Sequence, residues 1–319
     1  MTQREALISW RLFGLNWIPL GVLAAALAFS LALTDFSLGF GGAAFSSVFV
    51  ASYAGVAYYN AKAPHRQDPQ IVFALGATAQ IVLTTMLAVP LSYVAASFSP
   101  PLQDANLYAI DRALGIDGFS YLAFIDDYPV LASWLRAGYG MIKWPIFAIP
   151  IILAAAHCFS RMQEFILAYA LALTATIVIS AFVPALGIFS LGAGPDSYSS
   201  ISAVAYMESL RDLPMVRDGS LRHLELLGLK GLVTFPSFHA AAAVLYLWAL
   251  WPVRWFRPIA LAANLLMIAS CPVDGAHYFI DLAGGIAVAV LAIVLARQVS
   301  LRVAARIPEN PAPAAPASV

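Results

Sequence analysis

Phe235-Pro236-Ser237-Phe238-His239 opens one long apolar run, and His277-Tyr278-Phe279-Ile280-Asp281 opens the next but one along the 319-residue chain. Each run is about as long as a bilayer is thick. An ionisable side chain in hydrocarbon costs roughly 2.5 kcal/mol or more, so two histidines and an aspartate at the mouths of neighbouring spans point to function first.

Outward from these stretches, similar runs recur along most of the chain. They lie at about 15–33, 40–59, 71–98, 129–155, 165–189, 235–253, 255–273 and 275–296. Each holds roughly 18 to 25 residues, enough to cross about 30 Å of hydrocarbon as a helix. The expected fold class is therefore all-α, a polytopic membrane bundle of about eight transmembrane helices. Composition agrees: 61% of residues are hydrophobic, 11% are charged, and mean hydropathy is +0.82. Seventeen basic residues balance seventeen acidic ones, which gives no footprint for nucleic acid. The two cysteines, Cys158 and Cys271, are expected near opposite membrane faces, with no disulfide and no CxxC or His/Cys cluster for zinc.

Arg4 and Arg11 precede the first run, which reads either as an uncleaved first span or as a signal peptide ending at Ala26-Leu27-Ala28. The positive-inside rule orients the rest. With both termini cytoplasmic, that side receives Arg4, Arg11, Lys62, Arg66, Arg161, Arg254, Arg257, Arg297, Arg302 and Arg306. The opposite side receives the long acidic loops, and His239 and His277 both open there. Two of those loops carry helical patterns, at 104–114 and 200–213. In the first, Leu107, Ile110 and Leu114 stand opposite Asp104, Asp111 and Arg112; in the second, an apolar stripe faces away from Glu208, Arg211 and Asp212. Both read as surface helices roofing the site, lying on the membrane or packed on the bundle. Residues 1–100 form N-terminal spans and 101–300 the catalytic core. The Pro- and Ala-rich tail within 301–319 is expected to be disordered.

His277 and Asp281 are four apart, so on a helix they face each other. The carboxylate fixes the imidazole tautomer and directs the other ring nitrogen outward as a nucleophile. His239 supplies the partner acid and base. Pro236 suits a first helical turn, whose N–H groups, with the Ser237 hydroxyl, make an anion cradle. A lone HxxxD on a membrane helix is equally a polar pair bonded across helices; two motifs at span mouths on one face favour phosphoryl transfer through a phosphohistidine. Asp274 reads as a cap for the last span, Tyr278 and Phe279 as interfacial aromatics, and Gly284 and Gly285 as close-approach positions.

These two motifs resemble the second and third signatures of the type 2 phosphatidic acid phosphatase superfamily, which includes acid phosphatases and vanadium haloperoxidases. Phe-Pro-Ser-x-His, the His-Tyr-x-x-Asp-Leu-x-x-Gly ending at Gly285, and Phe182-Val183-Pro184-Ala185 are more similar to its inositol phosphorylceramide synthase branch. The resemblance spans about 165–296. It implies a six-helix core and catalysis with no metal or cofactor. On matching positions, His277 is the nucleophile, Asp281 its orienting partner, His239 the general acid/base and Ser237 a phosphate ligand.

Two departures matter. The family's third motif commonly has Ser-Arg where this chain has Ser270 and Cys271, and its first motif, Lys-x6-Arg-Pro, is absent. Arg136 and Lys143, seven apart on the fourth run, are candidate substitutes for phosphate binding, with Lys230 and Arg222 as rivals. Arg136 and Lys143 otherwise snorkel or pair with Asp126 and Asp127. Some cation must match the charge of the transition state.

The expectation is thus an integral-membrane enzyme acting on a phosphorylated lipid among membrane lipids, from the outer face, periplasmic in a Gram-negative inner membrane. Water as acceptor makes it a phosphatase and an alcohol makes it a transferase, for instance of phosphoinositol. A lipid transporter with remnant motifs is the alternative, against which stands the concentration of charge at one face rather than the midplane.

Overall fold

The computed structural model describes residues 2–62, 68–192 and 194–308. The expected tail segment 309–319 and Arg66 lie outside the described residues. The helices are α1 (Gln3–Leu15), α2 (Trp17–Leu33), α3 (Phe40–Lys62), α4 (Pro69–Ala96), α5 (Asp104–Ala113), α6 (Gly118–Asp126) and α7 (Pro129–Gly140). They continue as α8 (Trp144–Ala155), α9 (Phe159–Phe182), α10 (Val204–Asp218), α11 (Phe238–Leu250), α12 (Arg257–Asp274) and α13 (Phe279–Ala305). A two-residue parallel pairing of Ser37–Leu38 (β1) with His223–Leu224 (β2) ties the segment after α10 to the chain just before α3.

The protein is an all-α integral membrane bundle. Among the described residues, seven helical stretches are long and apolar enough to cross a bilayer: Gln3–Leu33, Phe40–Asn60, Pro69–Ala96, Pro129–Ala155, Phe159–Phe182, Arg254–Asp274 and Phe279–Ala305. The expected span at 235–253 is shorter than its apolar run. It forms only the 13-residue α11, about 20 Å at 1.5 Å per residue. Ser237 caps its start, and Pro252 follows its end, where proline disfavours helix in the residue before it. The first stretch starts earlier than expected, at Gln3, because Thr2 and Glu5 form a reciprocal cap. Its two helices meet at Asn16, whose side-chain amide donates to the backbone and side-chain oxygens of Gln163 on α9.

The core is built around α9, which packs against α4, α11 and α13. Phe165, Ile166, Ala168, Tyr169 and Ala172 of α9 are fully enclosed, as are Ala240 to Ala243 of α11. Small side chains on α11 permit close approach, since helices in lipid associate through van der Waals packing rather than hydrophobic burial. Phe29, Phe182, Leu291 and Leu295 point out of the bundle, where lipid replaces water as solvent.

The two loop helices form, but the expected apolar and polar faces do not separate: Leu107 on α5 and Tyr206, Leu213 and Val216 on α10 are buried beside carboxylates of the same helices. On α5, Asp104 and Asp111 are 5% and 1% exposed while Ile110 and Leu114 are 43% and 62% exposed. On α10, Asp212 is buried, accepting from the Tyr93 hydroxyl at 2.9 Å and from Arg211 Nε at 2.6 Å, whereas Met207 and Leu210 are exposed. Asp104 and Asp111 turn inward, where amides of Leu186, Gly187, Phe279 and Ile280 donate to them. Both cysteines are free thiols.

Helices α11 and α13 touch where a Cβ on Gly285 would overlap the Ser237 carbonyl. Gly284 is less crowded, with Phe235 and Pro236 side-chain atoms 3.1 Å from its Cβ position. Gly285→Ala should therefore destabilise the bundle by about 1–3 kcal/mol. Thermal unfolding in detergent should show a clear drop for that variant and a smaller one for Gly284→Ala.

Candidate active site

The turn Gly275-Ala276-His277-Tyr278 joins α12 to α13. The amides of Gly275 and His277 both donate to the Cys271 carbonyl, at 3.1 and 3.3 Å, and Ala276 adopts a positive φ of 55°. Ile188 N donates to the Ala276 carbonyl at 2.8 Å, so the segment after α9 pins this turn from outside. His277 therefore precedes the helix rather than lying on it, and Tyr278 is extended. The expected contact forms all the same: His277 Nδ1 lies 3.2 Å from Asp281 Oδ2, which also accepts from Tyr278 N at 2.9 Å. Both side chains are buried. With Nδ1 engaged, Nε2 is the ring nitrogen left for chemistry.

Asp111 Oδ2 accepts from Phe279 N at 2.7 Å and its Oδ1 from Ile280 N at 2.8 Å, capping α13 from the neighbouring α5. Burial pushes the Asp111 carboxyl above its ordinary range, and these two amides draw it partly back. The Tyr278 hydroxyl donates to Asp104 Oδ1 at 3.0 Å inside the protein, so Tyr278 is a buried strut and not an interfacial aromatic. Asp274 is likewise reassigned. Its carboxylate accepts from Val204 N at 3.0 Å and so caps α10, because α13 already has Asp111 and Asp281 at its start.

The second motif meets the first through Ser237 N, which donates to the Asp281 carbonyl at 2.9 Å. Pro236 does not begin the helix as expected. Ser237 takes the N-cap, its Oγ accepting from Ala240 N at 3.4 Å, and α11 starts at Phe238. The same Oγ donates to Cys271 Sγ at 3.8 Å, deep in the protein. His239 is partly buried, and the ring of Tyr139 lies parallel to it at 3.8 Å between centroids.

His239 stands on the wall of a cavity of about 780 Å³. Thr85, Ala88 and Val89 of α4, Ile142 just before α8, Ile146 of α8, and Leu173 and Ile177 of α9 give it a mainly apolar limb. Residues of α10 and 221–234 give it a charged mouth. Arg136, Lys143 and Lys230 all line this cavity. The fourth span breaks into a 3-10 turn at Met141–Lys143, which separates Arg136 from Lys143 without removing either from the wall. Arg136 Nη2 donates to the Ser200 carbonyl at 3.3 Å rather than to Asp126 or Asp127. Burial alone would raise the Asp126 carboxyl, but amides of Ser199, Ser200 and Ile201 and the Ser199 hydroxyl hold it below its ordinary range. Asp126 thus fixes the strand of chain that receives Arg136. Lys230 pairs with Glu208 at 2.6 Å. Arg222 is not among the lining residues; it donates to the Val216 carbonyl and covers the ring of Phe36.

His277 and Ser237 do not line the cavity. Gly275 does, and His277 stands against it: a Cβ there would lie 2.8 Å from His277 Cδ2 and 2.6 Å from the Tyr139 hydroxyl. Sequence reasoning missed Tyr139, Glu208 and Arg211 as wall residues. Tyr139 follows Arg136 by three, which places both on one helix face, a signal that was present. Glu208 and Arg211 carried none beyond their charge.

A family model described as the PAP2 superfamily matches residues 105–295, more than half of the chain. No curated protein and no solved structure matches it. The matched region takes in α6 to α12 with most of α5 and α13, while the cavity also borrows residues from α4.

Because Gly275 has no room for a methyl group, Gly275→Ala should push Tyr139 off its stack with His239 while leaving the bundle folded. Turnover should fall by roughly 10- to 100-fold, as a small misplacement of reacting groups does. Size-exclusion elution alongside lipid phosphate turnover checks both halves.

Proposed function

Since the chain belongs to the PAP2 superfamily, a group of phosphatase-type lipid enzymes, we propose that it transfers the phosphoryl group of a membrane lipid through a phosphohistidine on His277. One observation carries the reading. The buried His277–Asp281 pair is joined by the Ser237 amide to the first turn of α11, whose His239 stands on the wall of a cavity with an apolar limb and a charged mouth.

In this reading His277 Nε2 attacks phosphorus, the P–N bond forms, and the P–O bond to the leaving group breaks. Asp281 stabilises the positive charge that develops on the imidazole. His239 gives its proton to the departing oxygen, then takes one from the incoming water or alcohol as the P–N bond breaks. Arg136, Lys143 and Lys230 supply charge to the non-bridging oxygens. Ser237 acts by capping α11 and bonding Asp281; its buried hydroxyl would need to turn from Cys271 to reach a phosphate. The distribution of basic residues supports cytoplasmic termini and a site on the outer face, periplasmic in a bacterial inner membrane.

Transfer of a phospho-headgroup to a lipid hydroxyl, as in inositol phosphorylceramide synthesis, is the second reading. Buried Cys271 stands where the superfamily commonly has an arginine, and Glu208 offsets Lys230 at the mouth. Less net positive charge suits a singly charged phosphodiester better than a dianionic monoester.

Purified protein in detergent with EDTA should release phosphate from at least one of phosphatidate, isoprenyl pyrophosphate, phosphatidylglycerol phosphate or a sphingoid phosphate. His277→Ala should abolish release, and His239→Ala should lower it by about 10²- to 10⁴-fold. An acid-labile phosphoryl group should be trapped on native protein only. Headgroup transfer from a phosphodiester to ceramide or diacylglycerol, without phosphate release, would select the second reading. Release undiminished in His277→Ala would overturn the mechanism, and lipid flux surviving that change without any turnover would mark a transporter.

A further inference from the structure

We propose that α5 is a clamp on the candidate catalytic turn and that Asp111 is a positioning residue for the His277–Asp281 pair, an inference that rests on the site assignment above. Asp104 and Asp111 are two helical turns apart, so they share the face of α5 turned toward the bundle. Asp111 spans the first-turn amides of Phe279 and Ile280 with its two oxygens. Asp104 accepts from Leu186 N at 3.1 Å, Gly187 N at 2.7 Å and the Tyr278 hydroxyl at 3.0 Å. With the Ile188 amide on the Ala276 carbonyl, residues on both sides of His277 are held from outside their own helix.

Two buried carboxylates are a costly way to dock a surface helix. Ionised groups out of water lose several kcal/mol of solvation unless hydrogen bonds replace it, and apolar residues would dock α5 as well. Competition for the start of α13 explains what the charge does. The first-turn amides of a helix and its dipole attract the nearest anion. Asp281, in that first turn, would be drawn to the amides of Phe279 and Ile280 if they were unpaired. Asp111 occupies both, which leaves Asp281 Oδ2 to Tyr278 N and His277 Nδ1. The imidazole is thereby held with Nε2 directed away from Asp281.

Asp111→Asn tests this, because an amide in that place can accept from only one of the two backbone groups and presents N–H to the other. Expected are a kcat lower by about 10- to 100-fold, KM within about twofold, and faster hydrogen exchange across 276–282. Ile110→Ala, on the exposed face of the same helix, should change none of these. An unchanged kcat, or a loss no greater than the loss of folded protein by size exclusion, would overturn the clamp. If Asp111→Asn does not fold, Tyr278→Phe decides, since it removes only the hydroxyl that Asp104 accepts: a several-fold lower kcat at constant KM supports the proposal, and unchanged kinetics sink it. If the native chain turns over no phosphorylated lipid, the functional reading fails by itself. The clamp is then judged on exchange at 276–282 and on the rate at which diethyl pyrocarbonate modifies His277, located by mass spectrometry; if neither responds to Asp111→Asn, it is wrong.

Discussion

The Ser237 amide donates to the Asp281 carbonyl at 2.9 Å, over a glycine whose missing side chain makes that distance attainable. That contact fixes α11 against α13. It also brings together the starts of two helices whose first residues are far apart in sequence, so that the histidine after the Ser237 cap and the histidine before Phe279 belong to one site. A side chain at Gly285 would separate the helices, and every distance in the site would open with them.

Around this junction the protein manages charge by placing it at one end of the bundle. Asp104 and Asp111 of α5, Asp212 of α10, Asp274 of α12 and Oδ2 of Asp281 accept from backbone amides, hydroxyls or basic side chains, whereas Asp281 Oδ1 is buried without a partner among the described residues. Buried groups of this kind cannot turn to water and depend on donors within the protein. The cations Arg136, Lys143 and Lys230 stand at the cavity wall, where Arg211 also lies, bonded to Asp212. The apolar limb of the same cavity runs between α4, α8 and α9, toward the hydrocarbon depth of the bundle.

Much of this was legible in the chain itself. Apolar length identified seven of the eight expected spans, because a bilayer imposes one thickness on every helix that crosses it, while the run at 235–253 gave only the 13-residue α11. The spacing of His277 and Asp281 indicated their contact, although the histidine lies just outside the helix that the spacing assumed. The loop helices were read as having separate apolar and polar faces, and the structure divides them otherwise. Leu107 goes inward together with Asp104 and Asp111, while Ile110 and Leu114 stay exposed. The carboxylates turn toward amides on other segments, which no period within α5 records. Pro236 was misplaced for a local reason: proline and serine both favour helix starts, and only the neighbouring chain decided that Ser237 caps.

The sequence by itself determined an all-α membrane protein, seven of its eight expected spans and the pairing of His277 with Asp281. These follow from hydropathy and from spacings within a few residues. Tertiary structure alone decided that Arg136, Lys143 and Lys230 share a cavity with His239 while Arg222 does not. It alone showed Asp274 capping α10, and Asp104 and Asp111 reaching the turn that holds His277. The reason is physical. Those contacts join residues on different helices, and which helix faces meet depends on packing that no local period encodes.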